Sequence, residues 1–361
     1  MNPLRLIVVA GLMLFGLYLQ VAKAAPIEHV IHISVDGLHP SAIPALINQG
    51  QSQGQNLVPN FTRLRTQGAF TDNARTDPEV AYTLPNHASQ LTGRHMSGDA
   101  GHGWALNDDP GGRWTLHLSK TLQTGRVSYV ASVFDTVHDN GLSTALYANS
   151  SDFRIFDRSW NNINGARDRP PLDNGRDKID TFFSDGDMST VASAFVNDVG
   201  QRNYTYAFLH LKAPDSTGHV ATWDLTPGSL YLEAVKAVDI VLGTIFKLVE
   251  EDPELAGRTA IILTADHSGE LWTTFHVLRP PIFVASGIVP FYVWGPGVTA
   301  GADLYALNPA TRANPSGEIT PASATPQPIR NGDAANLALD LLDLSPVPGS
   351  AINRAQDLSV R

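Results

Sequence analysis

The sequence has no cysteine in its 361 residues, which removes both a disulfide framework and thiolate catalysis. Charge is scarce too. Asp, Glu, Lys and Arg make up 17% of the chain and the formal balance is −10. With no basic run to release phosphate counterions, a general affinity for nucleic acid or anionic membrane is excluded. A small anionic substrate remains compatible, because bound cations invert the local field of an acidic protein. Long hydrophobic runs are missing beyond the N terminus, so no later segment can span a bilayer. Apolar residues are plentiful at 43%, which allows a large core and argues against disorder.

The N terminus stands apart from the rest. Arg5 supplies a positive charge, residues 6–21 form an apolar run, and Ala22, Lys23 and Ala24 have the form of a cleavage site. This is the layout of a secretory signal peptide over residues 1–24. The alternative is a retained anchor, but the apolar run falls short of the roughly twenty residues needed to span. The expectation is a secreted or periplasmic protein with one catalytic domain over residues 25–361.

The mature chain alternates strands and helices. HVIHISV (29–35) reads as a buried strand ending at Asp36 and Gly37. Residues 60–67 and 132–140 read as helices, the second capped by Ser132, and residues 69–74 and 143–147 read as strands. In TLPNHASQLTG (83–93), an early proline and a final glycine bracket a short helix with Thr83 at its start. Residues 149–187 turn irregular and are expected to be an insertion or lid. Helix 189–199, strand 204–211, a long amphipathic helix over 229–250, strand 290–294 and a closing helix over 332–342 complete the pattern. A three-layer α/β sandwich follows, with a mostly parallel sheet covered by helices on both faces.

The most informative stretch is AIILTADHSGELWTTFH (260–276), where a short buried strand runs directly into Asp266 and His267. In open α/β sheets, ligands bind in the crevice beyond the strand ends. The strand ends together deliver Asp36, Asp215 with His219, and Asp266 with His267. Thr83 lies at a helix start and His276 shortly downstream. Carboxylate and imidazole donors suit zinc, and they also admit manganese or another divalent ion. No histidine follows His276, so a further imidazole from the C-terminal part must be that one. His87, His95 and His102 are read as structural, each satisfying local backbone.

Taken in order, VDG (35–37), TLPNHASQLTG (83–93), HGWALN (102–107), PDSTGH (214–219) and TADH (264–267) resemble the alkaline phosphatase superfamily. Within it they resemble the type I phosphodiesterase and nucleotide pyrophosphatase branch. The resemblance implies an alkaline phosphatase-like fold and two divalent metal ions bridged by the reacting phosphoryl group. One ion would be held by Asp215, His219 and His276, the other by Asp36, Asp266 and His267. Thr83 would be the nucleophile and a ligand to the second ion, and Asn107 would donate to a phosphoryl oxygen. This sequence departs from the pattern in having Ser268 after the Asp-His pair and in placing His276 only nine residues beyond His267.

A metal ion and a helix N-terminus both favour the alkoxide of a threonine that is otherwise a poor nucleophile. A phosphothreonine intermediate is expected, with water hydrolysing it in a second step. The expected substrates are small anionic phosphodiesters or pyrophosphates of nucleotide type. Before Thr83 ionises, two dications against three aspartates leave about one positive charge, which matches a diester and falls short of a dianionic monoester unless a Lys or Arg is added. A phosphomonoesterase is the alternative within the class, and a non-catalytic metal-binding protein the alternative outside it. A sulfatase would, by the same resemblance, need a cysteine or serine where Thr83 stands. Oligomeric state is not legible in the sequence.

Overall fold

The computed structural model describes residues 26–109, 120–168, 175–274, 285–317 and 319–361. The leader and His276 lie outside these residues. In chain order the first half comprises β1 (His29–Val35), α1 (Ala42–Gln53), α2 (Pro59–Gln67), β2 (Ala69–Arg75), α3 (Thr83–Thr92), α4 (Val133–His138), β3 (Thr144–Ala148) and α5 (Arg154–Ser159). There follow β4 (Thr181–Ser184), α6 (Met188–Arg202), β5 (Tyr206–Leu211), α7 (Ala213–Ala221), α8 (Leu230–Glu251), β6 (Thr259–Thr264), β7 (Ile288–Trp294), β8 (Ala302–Asp303), α9 (Leu304–Leu307) and α10 (Asp333–Leu341).

The strands form one sheet in the order β4-β3-β5-β1-β6-β7-β2-β8. Only β7 runs against the others. β1, β3, β5 and β6 are buried along their whole length, as strands covered on both faces must be. On one side α1, α2, α6 and α7 gather around α8, and α3, α4 and α10 pack together as a second group. Leu232, Val235, Val238, Leu242, Ile245 and Phe246 form the inward stripe of α8. This is the alkaline phosphatase-like α/β architecture.

The sheet order explains how distant motifs meet. β1 lies between β5 and β6, with Val35 beside Leu211 and Ser34 beside Thr264. The residues following these three neighbouring strands therefore emerge at one edge. Two elements differ from the sequence reading. The sequence reading assigns no element to 212–221, yet Pro214 in the first turn starts α7 and puts Asp215 and His219 one turn apart on one helix. The irregular stretch 149–187 contains α5 and the edge strand β4, and it sends Phe153, Ile155, Phe156 and Trp160 into the core. Much of its length is thus domain structure.

Candidate active site

Three aspartates converge where β1, β5 and β6 end. Asp36 follows β1 directly, and its backbone N–H donates to the Leu211 carbonyl at 2.9 Å. Asp215, in the first turn of α7, donates from its N–H to the Asp36 carbonyl at 3.1 Å. Asp266 reaches across to accept from the Gly37 N–H at 3.2 Å. Gly37 makes this closeness possible. Its φ is +67°, and a Cβ there would stand 2.8 Å from the Asp215 Cα, so only glycine fits without displacement.

His267 faces all three carboxylates. Its Nε2 lies 3.2 Å from Asp266 Oδ2, 3.4 Å from Asp36 Oδ1 and 4.0 Å from Asp215 Oδ1. Its Nδ1–H donates to the Ser268 carbonyl at 3.0 Å, which leaves Nε2 with its lone pair directed into the cluster. The Ser268 substitution noted in the sequence therefore keeps this tautomer-setting contact on a backbone carbonyl. Asp36 Oδ1 and Asp266 Oδ2 are buried and accept no hydrogen bond from another described residue. Buried carboxylate oxygens without donors are costly unless a cation or a shared proton joins them. Asp36, Asp266 and His267 have ligand atoms within 4.8 Å of one another. This donor set fits a divalent ion.

The outer half of the site holds Asp215 and His219. Nε2 of His219 lies 3.3 Å from Asp215 Oδ1, and its Nδ1–H donates to the Thr274 carbonyl at 2.9 Å. Both imidazoles thus have Nδ1 fixed by a backbone carbonyl and Nε2 turned toward the carboxylates. His276, the third expected member of this half, falls outside the described residues.

Thr83 opens α3 with its hydroxyl Oγ1 3.3 Å from His267 Nε2. The residue is partly exposed, so a substrate can reach it. Behind it, the His87 Nδ1–H donates to the Thr83 carbonyl at 2.7 Å, while its Nε2 accepts from the Ser34 hydroxyl at 2.9 Å. Burial holds His87 neutral, with its pKa well below the ordinary histidine value. Asn107 accepts from the Leu84 N–H at 3.4 Å through Oδ1, which sets its amide beside the helix start and leaves Nδ2 as a donor. His95 pairs with Asp77 at 3.3 Å and His102 with the Ser89 hydroxyl at 3.2 Å.

The charges of the cluster are strongly coupled in space. Burial raises the pKa of Asp266 well above the ordinary carboxylate value, and the neighbouring Asp36 and Asp215 add to the rise. Asp36 goes the other way. Burial opposes its ionisation, but the hydrogen bond from His210 and the nearby His267, His210 and Lys212 outweigh it and hold Asp36 below the usual range. Without metal, Asp266 is the member that keeps a proton.

Four residues escaped the sequence reading. His210, in β5, donates from Nε2 to Asp36 Oδ2 at 3.0 Å, with both side chains fully buried. Trp223 donates from Nε1 to the Gly37 carbonyl at 2.9 Å, and Tyr231 donates to the same oxygen at 2.8 Å. A Cβ on Gly218 or Gly269 would fall 2.5 Å and 2.0 Å from the Trp223 ring, so the glycine between Asp215 and His219 and the one that follows Ser268 make room for this brace. Lys212 stands at the start of α7. Only the nearness of Lys212 to Asp215 was visible in the sequence.

A second acidic group, His138, Asp139 and Asp168, lies elsewhere. There the Lys178 ammonium already sits 2.5 Å from both aspartates, so a lysine fills the place a cation would take.

A partly parallel sheet with three carboxylates, two oriented imidazoles and a hydroxyl at its strand ends defines a phosphoester hydrolase of the alkaline phosphatase superfamily. The profile of the type I phosphodiesterase / nucleotide pyrophosphatase family matches residues 30–276, and the chain belongs to that family. Among solved structures, murine ectonucleotide pyrophosphatase/phosphodiesterase 5 in its inactive form with AMP is similar over 92% of this chain and 99% of its own, at 14% identity and a TM-score of 0.57. A 2-O GAG sulfatase is similar over 92% of this chain and 74% of its own, at 13% identity and a TM-score of 0.55. An alkaline phosphatase superfamily protein from Vibrio parahaemolyticus gives 89% and 67%, with 15% identity and a TM-score of 0.50. No curated protein matches the chain. Among the described residues, no helix is long and apolar enough to cross a membrane.

Proposed function

We propose that the protein is an exported, two-metal hydrolase of phosphodiester or pyrophosphate bonds, acting on nucleotide-type substrates through phosphorylation of Thr83. The observation that carries this reading is the approach of the Thr83 hydroxyl to His267 Nε2 at 3.3 Å, inside a cluster where Asp36 Oδ1, Asp215 Oδ1 and Asp266 Oδ2 are buried without a hydrogen-bond donor among the described residues. Asp36, Asp266 and His267 would hold one ion, and Asp215 and His219, with His276, the other. Zinc suits these nitrogen and oxygen donors. Such ions, when bound, favour ionisation of the Thr83 hydroxyl and offset charge on the phosphoryl oxygens.

The chain's own residues do the rest. Thr83 Oγ attacks phosphorus while the ester oxygen leaves, and water later displaces Oγ to regenerate the threonine. The start of α3 favours negative charge at Thr83, and His87 holds its carbonyl in place. The Asn107 amide is oriented to donate to a non-bridging oxygen. The nucleotide bound by the murine protein supports a nucleotide-type substrate, and threonine in a chain without cysteine supports phosphate over sulfate. The leader-like N terminus supports export.

The test compares a chromogenic phosphodiester with the matching monoester, on metal-loaded wild type, a chelated control and Thr83→Ala. The expected result is metal-dependent diester cleavage lost in the variant, with acid-quenched wild type carrying phosphate on Thr83 by mass spectrometry. Metal binding with no turnover of either ester would instead identify a non-catalytic metal-binding protein.

A further inference from the structure

We infer that Lys212 is a substrate-binding residue that lets this site hold a doubly charged phosphoryl group, so that the enzyme hydrolyses phosphomonoesters beside its diester substrates. The inference rests on the two-metal reading of the site and names a residue which that reading does not use.

The backbone brings Lys212 to the cluster. It follows Leu211, whose carbonyl accepts from the Asp36 N–H at 2.9 Å, and it precedes by three residues Asp215, whose N–H donates to the Asp36 carbonyl at 3.1 Å. Its own N–H donates to Asn149 Oδ1 at 3.2 Å, which fixes the start of α7. Burial works against its charge, yet Asp36, Asp215, Asp152 and Asp266 together hold its pKa above the ordinary lysine value. Even so, its ammonium makes no hydrogen bond or ion pair with any described residue. Lys178 shows the contrast, since that ammonium grips Asp139 and Asp168 at 2.5 Å each. Lys212 has the charge and the location without a structural partner.

Charge balance gives this a consequence. Before Thr83 ionises, two dications against Asp36, Asp215 and Asp266 leave one net positive charge, matched to a diester monoanion, and Lys212 makes it two. A fourth carboxylate, Asp152, is partly exposed, where solvent screens it. It also accepts from the Ser150 hydroxyl at 3.2 Å. The site thus balances a dianion. On a monoester, Thr83 Oγ forms a bond to phosphorus as the bond to the ester oxygen breaks, and the alcohol leaves with the proton the hydroxyl gave up. Water then breaks the Oγ–P bond, yielding inorganic phosphate and restoring the Thr83 proton. Lys212 touches a non-bridging oxygen in both steps.

The experiment measures kcat/KM for the monoester and the diester on metal-loaded wild type, Lys212→Gln and Lys212→Arg. In parallel, calorimetry follows inorganic phosphate and dimethyl phosphate binding to metal-loaded Thr83→Ala, with and without Lys212→Gln. Loss of one charge-assisted hydrogen bond predicts a fall of about 10- to 100-fold for the monoester in Lys212→Gln. The diester should fall by about threefold or less, and Lys212→Arg should recover most of the difference. Phosphate binding should weaken about tenfold and dimethyl phosphate binding far less. Equal losses for both esters and both ligands, or no loss, would overturn the role of Lys212. Failure of the wild type to cleave either ester would overturn the hydrolase reading, and phosphate calorimetry would still decide whether Lys212 binds a dianion.

Discussion

Replacing His210 with Phe isolates one contact behind the proposed metal site. The His210 ring fills space beside Phe153, with ring centroids 4.2 Å apart, so a phenyl ring keeps the packing. What disappears is the 3.0 Å bond to Asp36 Oδ2. That bond holds one oxygen of Asp36 and leaves the other, Oδ1, directed at Asp266 and His267. Losing the partner of a buried ionised carboxylate costs about 1–3 kcal/mol or more, and loss of such outer contacts typically weakens metal binding about 10- to 100-fold. Competition with a chromogenic chelator at fixed pH should show a weakening of that size in His210→Phe. His210→Gln, whose amide nitrogen can take the place of Nε2, should recover most of it. Thermal unfolding of the metal-free proteins gives the independent reading of the same loss. A metal affinity in His210→Phe within twofold of wild type would refute the claim that this histidine orients Asp36.

Other outcomes follow from the same geometry. Gly37→Ala forces a side chain into a left-handed position that costs about 1–2 kcal/mol and to within 2.8 Å of the Asp215 Cα. It should lower the unfolding midpoint and weaken metal binding, both read in one melt with and without metal. Asn107→Asp keeps the oxygen that caps Leu84 but removes the amide donor, so kcat should fall about 100-fold or more with the melting midpoint nearly unchanged. The raised pKa of Asp266 makes ionisation unfavourable in the metal-free fold. That group's contribution to stability is present below about pH 4, the ordinary Asp value, and is lost as pH climbs toward its raised folded value. An ion held there as proposed needs the ionised form, so metal affinity should rise with pH and binding should release protons, measured by calorimetry in buffers of different ionisation heat.

The extent to which this site was legible depends on how local each contact is. Asp36, Thr83, Asp215, His219, Asp266 and His267 stand in short motifs at strand or helix ends, and the ends of elements can be read from apolar runs and from proline and glycine. The sheet order then brings β5, β1 and β6 side by side, a fact no single segment carries. His210 shows the limit. In sequence it is a polar residue inside an apolar strand, with nothing to distinguish it from His32, which sits in β1 and bonds Tyr206 at 2.8 Å. Only the parallel register, Ser34 beside His210, turns it toward Asp36. Lys212 escaped for a different reason, because the sequence reading assigns it no element and only the helix that Pro214 starts fixes its place. The proposed ligands were readable because metal chemistry restricts their residue types. The residues packed behind them, such as His210, are set by register and close packing, so a site read from sequence names the proposed ligands before it names what orients them.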